Sequence, residues 1–253
     1  MAKYIFTFSF FMGFAKFNSI GQTLPPIQTD RPDQTECPFI TPQQYIQAEN
    51  GFTYENIDNE NKSIAHPSIL WKYGLSKTFE FRLITEVVSE KNLNATETGL
   101  SPITVGFKVN IAQEKGILPT TSFIGHLTLP YLASKKFKSI YYAPSFRFTM
   151  QHSLSKRFSL GYNLGAEWDG ETPEPTFIYT LTTGCSMTEK LGGYLELYGF
   201  APQQSKADHR IDGGVTYLIT NNAMVDVSGG FGLTDNAPKN YVALGFSYRF
   251  NTK

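Results

Sequence analysis

From residue 44 to the end of the chain, large apolar side chains recur at every second position, in runs of about ten to thirteen residues separated by polar turns. Period two is the signature of a β-strand, because successive side chains point to opposite faces. Phe158, Leu160, Tyr162, Leu164, Ala166 and Trp168 alternate with Ser159, Gly161, Asn163, Gly165 and Glu167. Ile103 to Ile111, Tyr142 to Gln151 and Val242 to Phe250 read the same way. One face of each run is large and apolar, and the other is small or polar. The pattern predicts strands over 44–56, 64–75, 79–88, 102–112, 119–130, 140–152, 157–168, 176–187, 191–200, 210–220, 223–233 and 240–250.

The connections alternate in length. Ser76–Thr78, Gln113–Leu118, Ser153–Lys156, Thr188–Lys190 and Asn221–Asn222 are short, whereas Ile57–Ser63, Ser89–Ser101, Tyr131–Ser139, Asp169–Pro175, Ala201–His209 and Thr234–Lys239 are longer. Transmembrane barrels have short periplasmic turns and long outer loops. With an even strand count, both termini and every short turn fall on one side. Composition agrees: 15% aromatic and only 17% charged residues, yet a slightly negative mean hydropathy of −0.24. That combination fits lipid-facing and water-facing residues alternating along strands. Inside a bilayer no water satisfies backbone polar groups, so such a sheet must close on itself. The expected fold is therefore all-β: a closed, antiparallel, up-and-down transmembrane β-barrel of about twelve strands. Phe52, Tyr54, Trp71, Tyr73, Phe79, Phe81, Tyr142, Trp168, Phe177, Tyr179, Tyr248 and Phe250 are expected in its aromatic girdles.

The only continuously apolar stretch runs from Tyr4 to Ala15 between Lys3 and Lys16, too short for a spanning helix. It reads as a secretory signal peptide over residues 1–21, with cleavage expected after Gly21. Residues 22–43 are then a periplasmic extension or partial plug, and 44–253 the barrel. Export permits a disulfide. Strand parity turns Cys185 outward, however, so Cys37 and Cys185 are expected as free thiols.

Ahead of the first strand stands Thr29-Asp30-Arg31-Pro32-Asp33-Gln34-Thr35-Glu36-Cys37-Pro38, followed by Tyr45-Ile46-Gln47-Ala48-Glu49-Asn50-Gly51-Phe52. Together with Gly161–Gly165, Tyr194–Phe200, Gly232–Pro238 and the closing Gly245–Phe250, this run resembles the outer-membrane transporter family named for the MetA pathway of phenol degradation. In place of the small residue expected at position 37, the chain has Cys37. The resemblance implies an outer-membrane channel and transfers no catalytic residue. It does not make phenol the substrate, because fold alone never fixes function.

By parity Lys72, Glu80, Arg82, Glu86, Lys108, Arg147, Glu167, Asp212, Asp226 and Arg249 face inward as candidate pore-lining residues. Asp30, Arg31, Asp33 and Glu36 form an N-terminal motif that either folds back among those charges or serves as a linker. Net charge is zero, 22 basic against 22 acidic residues, with no basic stripe, so no nucleic-acid partner is expected. His66, His126, His152 and His209 show no metal-ligand spacing. Adjacent His152 and Ser153 point opposite ways, so no catalytic pair forms there. The expectation is passive passage of small, including hydrophobic or aromatic, solutes through the outer membrane of a Gram-negative bacterium. No cofactor or metal is expected, and the partners are lipid, solute and the barrel assembly machinery. The alternatives are a filled interaction barrel and an outer-membrane hydrolase.

Overall fold

The computed structural model describes residues 24–253; the leader expected over residues 1–21 lies outside them. The strands are β1 (Tyr45–Asn56), β2 (Lys62–Gly74), β3 (Phe79–Lys91), β4 (Thr96–Leu100), β5 (Ile103–Ala112), β6 (Thr120–Leu129), β7 (Ala143–Ser153), β8 (Phe158–Glu167), β9 (Thr176–Ser186), β10 (Leu191–Pro202), β11 (Asp208–Thr220), β12 (Ala223–Gly232) and β13 (Asn240–Asn251). Neighbours pair antiparallel around the ring, and β13 closes it on β1 from Tyr45↔Asn251 to Asn56↔Asn240. No edge is left to expose unpaired N–H or C=O groups to lipid, each of which would cost several kcal/mol.

Thirteen strands fill twelve barrel positions, because β4 and β5 share one side of β3. Val87 pairs with Leu100 on β4, and Ile84 pairs with Thr104 on β5. Between them Ser101 N donates to Glu86 O at 2.8 Å, while Pro102 has no N–H to give. The predicted Ser89–Ser101 loop is thus a raised β3–β4 hairpin. Its sequence, Thr96-Glu97-Thr98-Gly99-Leu100, is short and polar, because it has no lipid to face. The 130–142 connection buttresses the hairpin: Leu100 N donates to Ser134 Oγ at 2.9 Å, and Lys136 meets Glu97 at 2.6 Å.

Polarity is inverted relative to a water-soluble domain. Phe81, Phe148, Leu164, Leu195 and Leu244 are exposed on the outside of the ring. Lys72, Glu80, Lys108, Ser122, Thr149 and Asn163 are shut inside, each at most 1% accessible. Aromatic rings tile part of the outer wall, with Phe79 stacked on Phe107 at 5.9 Å and Phe123 edge-on to Phe148 at 5.1 Å. A surface this apolar, wrapped around a polar core, is stable only in a bilayer.

Candidate functional site in the barrel lumen

Residues 24–43 run inside the ring. Near the short-turn rim, Arg249 donates to Pro25 O at 2.8 Å, and Ile27 N donates to Asn221 O at 2.9 Å. The segment then crosses the lumen at Asp30–Pro38 and returns to the same rim, where Gln44 N donates to Gly74 O at 2.8 Å. Pro25, Pro26, Pro32, Pro38 and Pro42 remove donors and hold the backbone extended. The segment forms no ladder of its own, so its remaining N–H groups need partners on the wall.

The wall supplies carboxylates and one amide. Glu49 Oε2 accepts from Asp30 N at 2.9 Å and Arg31 N at 3.1 Å. Glu196 accepts from Gln34 N at 2.7 Å, Thr35 N at 2.8 Å and the Thr35 hydroxyl. Glu80 Oε2 accepts from Thr41 N at 2.7 Å. Asn163 accepts from Glu36 N at 2.8 Å and donates to Glu36 O at 3.1 Å. Charge-assisted bonds of this kind are the stronger class.

The segment returns charge to the wall. Asp30 lies 2.9 Å from Arg82, 2.9 Å from Lys108 and 3.1 Å from Lys72, and also accepts from Cys37 N at 3.0 Å. Glu36 meets Arg82 at 2.6 Å, and Arg31 meets Asp226 at 3.1 Å. The register explains the convergence: Gln47, Lys72 and Arg82 are successive cross-strand partners, and Glu80 faces Lys108. In this cluster the wall alone brings three cations, Lys72, Arg82 and Lys108, against two carboxylates, Glu49 and Glu80. Asp30 and Glu36 add two negative charges, and Arg147, 3.9 Å from Glu36, adds a fourth positive one. Asp30 and Glu36 thus offset the net positive charge that these wall residues carry. Burial by itself would raise the Asp30 carboxyl, yet Lys108, Lys72 and Arg82 hold it well below the usual carboxylate range. Burial pushes the neighbouring Cys37 thiol up to about 12. Cys37 and Cys185 are both free.

Of the ten inward charges read from the sequence, Lys72, Arg82, Lys108, Glu80, Arg147, Asp226 and Arg249 bind the segment directly. Glu86 instead accepts from Ser101 Oγ at 3.2 Å, Glu167 lies 3.9 Å from Arg147, and Asp212 accepts from Tyr241 and Tyr194. Of the motif residues, Asp30, Arg31 and Glu36 are ion-paired, and Asp33 lines a cavity on the rim side. Glu49, Glu196, Gln47 and Asn163 were missed by the sequence reading. A signal existed for Glu196, which stands between the lipid-facing Leu195 and Leu197. The berth of Arg31 had none: a Cβ at Gly51 or Gly245, facing glycines of β1 and β13, would overlap its guanidinium.

The histidines scatter. His126 accepts from Arg82 Nε at 3.1 Å, His209 bonds Tyr179, and His152 lies 3.3 Å from the Tyr162 hydroxyl. His66 Nε2 is 2.7 Å from Ser89 Oγ, but that hydroxyl is buried and shared with Thr98. Among the described residues no three His, Cys, Asp or Glu side chains are grouped to hold a metal.

A family model described as "Putative MetA-pathway of phenol degradation" matches residues 29–250, from the lumen-crossing motif through the last strand. The chain belongs to this family. No curated protein matches the sequence. Among solved structures, an outer-membrane channel from Pseudomonas putida F1 matches with TM-score 0.66 at 10% identity, covering 84% of this chain and 98% of that one. The NanC porin matches with TM-score 0.55 at 10% identity, covering 80% and 98%, and the KdgM porin with 0.54 at 11%, covering 82% and 99%. At these identities the likeness concerns the fold, which is that of outer-membrane barrels.

Proposed function

We propose that this protein is a passive channel for small solutes across the outer membrane, with residues 24–43 as its resident constriction. One observation carries the reading. The lumen is occupied by a polar, proline-stiffened segment held through hydrogen bonds and ion pairs, and not by an interdigitated apolar core. Eight-stranded barrels fill with their own side chains, and sixteen-stranded porins stand open. A barrel of twelve positions lies between, wide enough to need a segment to narrow it. Cavities of about 350 Å³ and 390 Å³ border the barrier on its rim side and its outer-loop side. The inward charges then act as the lining that sets selectivity once the segment yields. The family's description points to aromatic solutes as the class to test. The aromatic closing run Gly245–Phe250 supports insertion by the barrel assembly machinery.

The deciding measurement is single-channel conductance of the refolded chain in a planar bilayer, with and without residues 24–43. Discrete steps that grow on truncation support a constricted pore. Silence from both, in barrels that run as folded on a heat-modifiable gel, refutes it. A filled interaction barrel would then be favoured by the braced β3–β4 hairpin, which projects an ordered surface outward.

A further inference from the structure

The segment is not gripped evenly. Against β1–β5 it is fixed by ion pairs through Asp30, whose partners Lys72, Arg82 and Lys108 are all nearly inaccessible. Against β9 and β10, residues Gln34 and Thr35 are held by hydrogen bonds alone, to Glu196 and to Thr180 Oγ1 at 2.6 Å. Both cavities open onto this second sector. The outer one is lined by Glu167, Thr176, Phe200 and Arg210, and the inner one by Asp33, Thr35, Thr182, Tyr194 and Thr216. Glu196 pairs across strands with Thr182 and Asp212, so the Thr35 contact stands in the wall sector between the two cavities.

The seam between the cavities has a one-sided charge, whereas the mouths carry cations, Lys156 and Arg157 at the inner cavity and Lys206 at the outer one. Asp33, Glu196 and Asp212 make no ion pair with any described residue. Asp212 is 3% accessible, and its Oδ1 has no hydrogen-bond partner. Of the cations nearest the seam, Arg147 lies 3.9 Å from both Glu36 and Glu167 and donates to Gln34 O at 3.1 Å, and Arg210 pairs with Asp208 and Glu55. A solute that enters the opened seam therefore meets carboxyl groups with no cation paired to them.

We propose that solutes pass along the β8–β11 wall, and that the gate is the Gln34–Thr35 backbone seated on Glu196 and Thr180. It opens by a swing of residues 33–35, which releases Gln34 O from Arg147, while Asp30 and Glu36 stay docked, and the opened seam favours cationic and neutral solutes over anions. The inference rests on the channel reading above and adds a hinge, a path and a sign of charge.

Two disulfide tethers test it, in a background where Cys37 and Cys185 are replaced by Ala. The first, Thr35→Cys with Thr180→Cys, ties the gate to the wall. The second, Ile27→Cys with Asn221→Cys, ties the entering leg, where a backbone hydrogen bond already brings the two chains together. Gel mobility before and after reduction confirms each bridge and the folded barrel. Oxidation is expected to abolish the conductance step in the first variant, reversibly with reductant, and to leave it unchanged in the second. A step that survives the gate tether overturns the path. A step lost to both tethers, or a wild-type chain that is silent while Asp30→Asn conducts, overturns the hinge and leaves the channel standing. Silence in wild type, Asp30→Asn and both reduced variants refutes the channel reading itself. Reversal potentials in a KCl gradient test the charge. Potassium is expected to be preferred over chloride, with the ratio falling several-fold in Asp212→Asn. A wild-type preference for chloride overturns that part.

Discussion

Asp30→Asn keeps the size of the side chain and removes the charge on which three buried cations converge. Glu49, Glu80 and Glu36 remain, so Lys72, Arg82 and Lys108 are not left bare, but their shared partner is gone. Removing one member of a buried ion-pair network costs about 3–5 kcal/mol. The cost falls on docking of the segment and not on closure of the barrel, because the ring's hydrogen bonds do not involve Asp30. The docking constant should fall roughly 10²- to 10⁴-fold, since each 1.4 kcal/mol is a factor of ten. The assay is paired: single-channel recording for a large, long-lived level absent from the wild type, and limited proteolysis for cleavage within residues 24–43. Acid should not mimic the substitution at moderate pH. The folded carboxyl sits below its unfolded value, so its contribution is fully present above about pH 4 and is lost only as pH falls through the depressed value. The large level should therefore stay absent from wild type at pH 5. A variant that conducts like the wild type and resists protease equally would refute the assignment of Asp30 as the anchor.

Gly245→Val should expel Arg31 from its glycine-floored berth, an overpacking cost of about 1–3 kcal/mol; faster proteolysis of the entering leg without loss of heat-modifiability is the expected readout. Phe148→Arg places a cation on the lipid face of β7 and should destabilise the barrel by about 2–4 kcal/mol near the midplane, measured by urea titration of refolding into bilayers. The Cys37 thiol, pushed up to about 12, carries only about 10⁻⁴ of its population as thiolate at pH 8, so maleimide should label it far more slowly than a free thiol peptide. Asp30→Asn should shorten that labelling time, by freeing the segment that hides it.

The ring was legible because a lipid-facing strand must alternate, and Phe158–Trp168 or Val242–Phe250 can satisfy that rule in only one register. The raised β4 was not legible, since five polar residues above the bilayer carry no such periodicity. Inward charge could be read residue by residue from parity, but its purpose could not. Lys72, Arg82 and Lys108 look alike in sequence whether they line water or hold a plug. Only closure of the ring brings residue 30 within hydrogen-bonding reach of 49, 82 and 108, and residue 35 within reach of 196, across sequence separations from 19 to 161. The sequence by itself determined which side chains face lipid and which face inward, a local consequence of strand geometry and solvent. The tertiary structure decided that the inward charges spend themselves on the chain's own N-terminal segment, because pairing among buried charges depends on distances that no local pattern encodes.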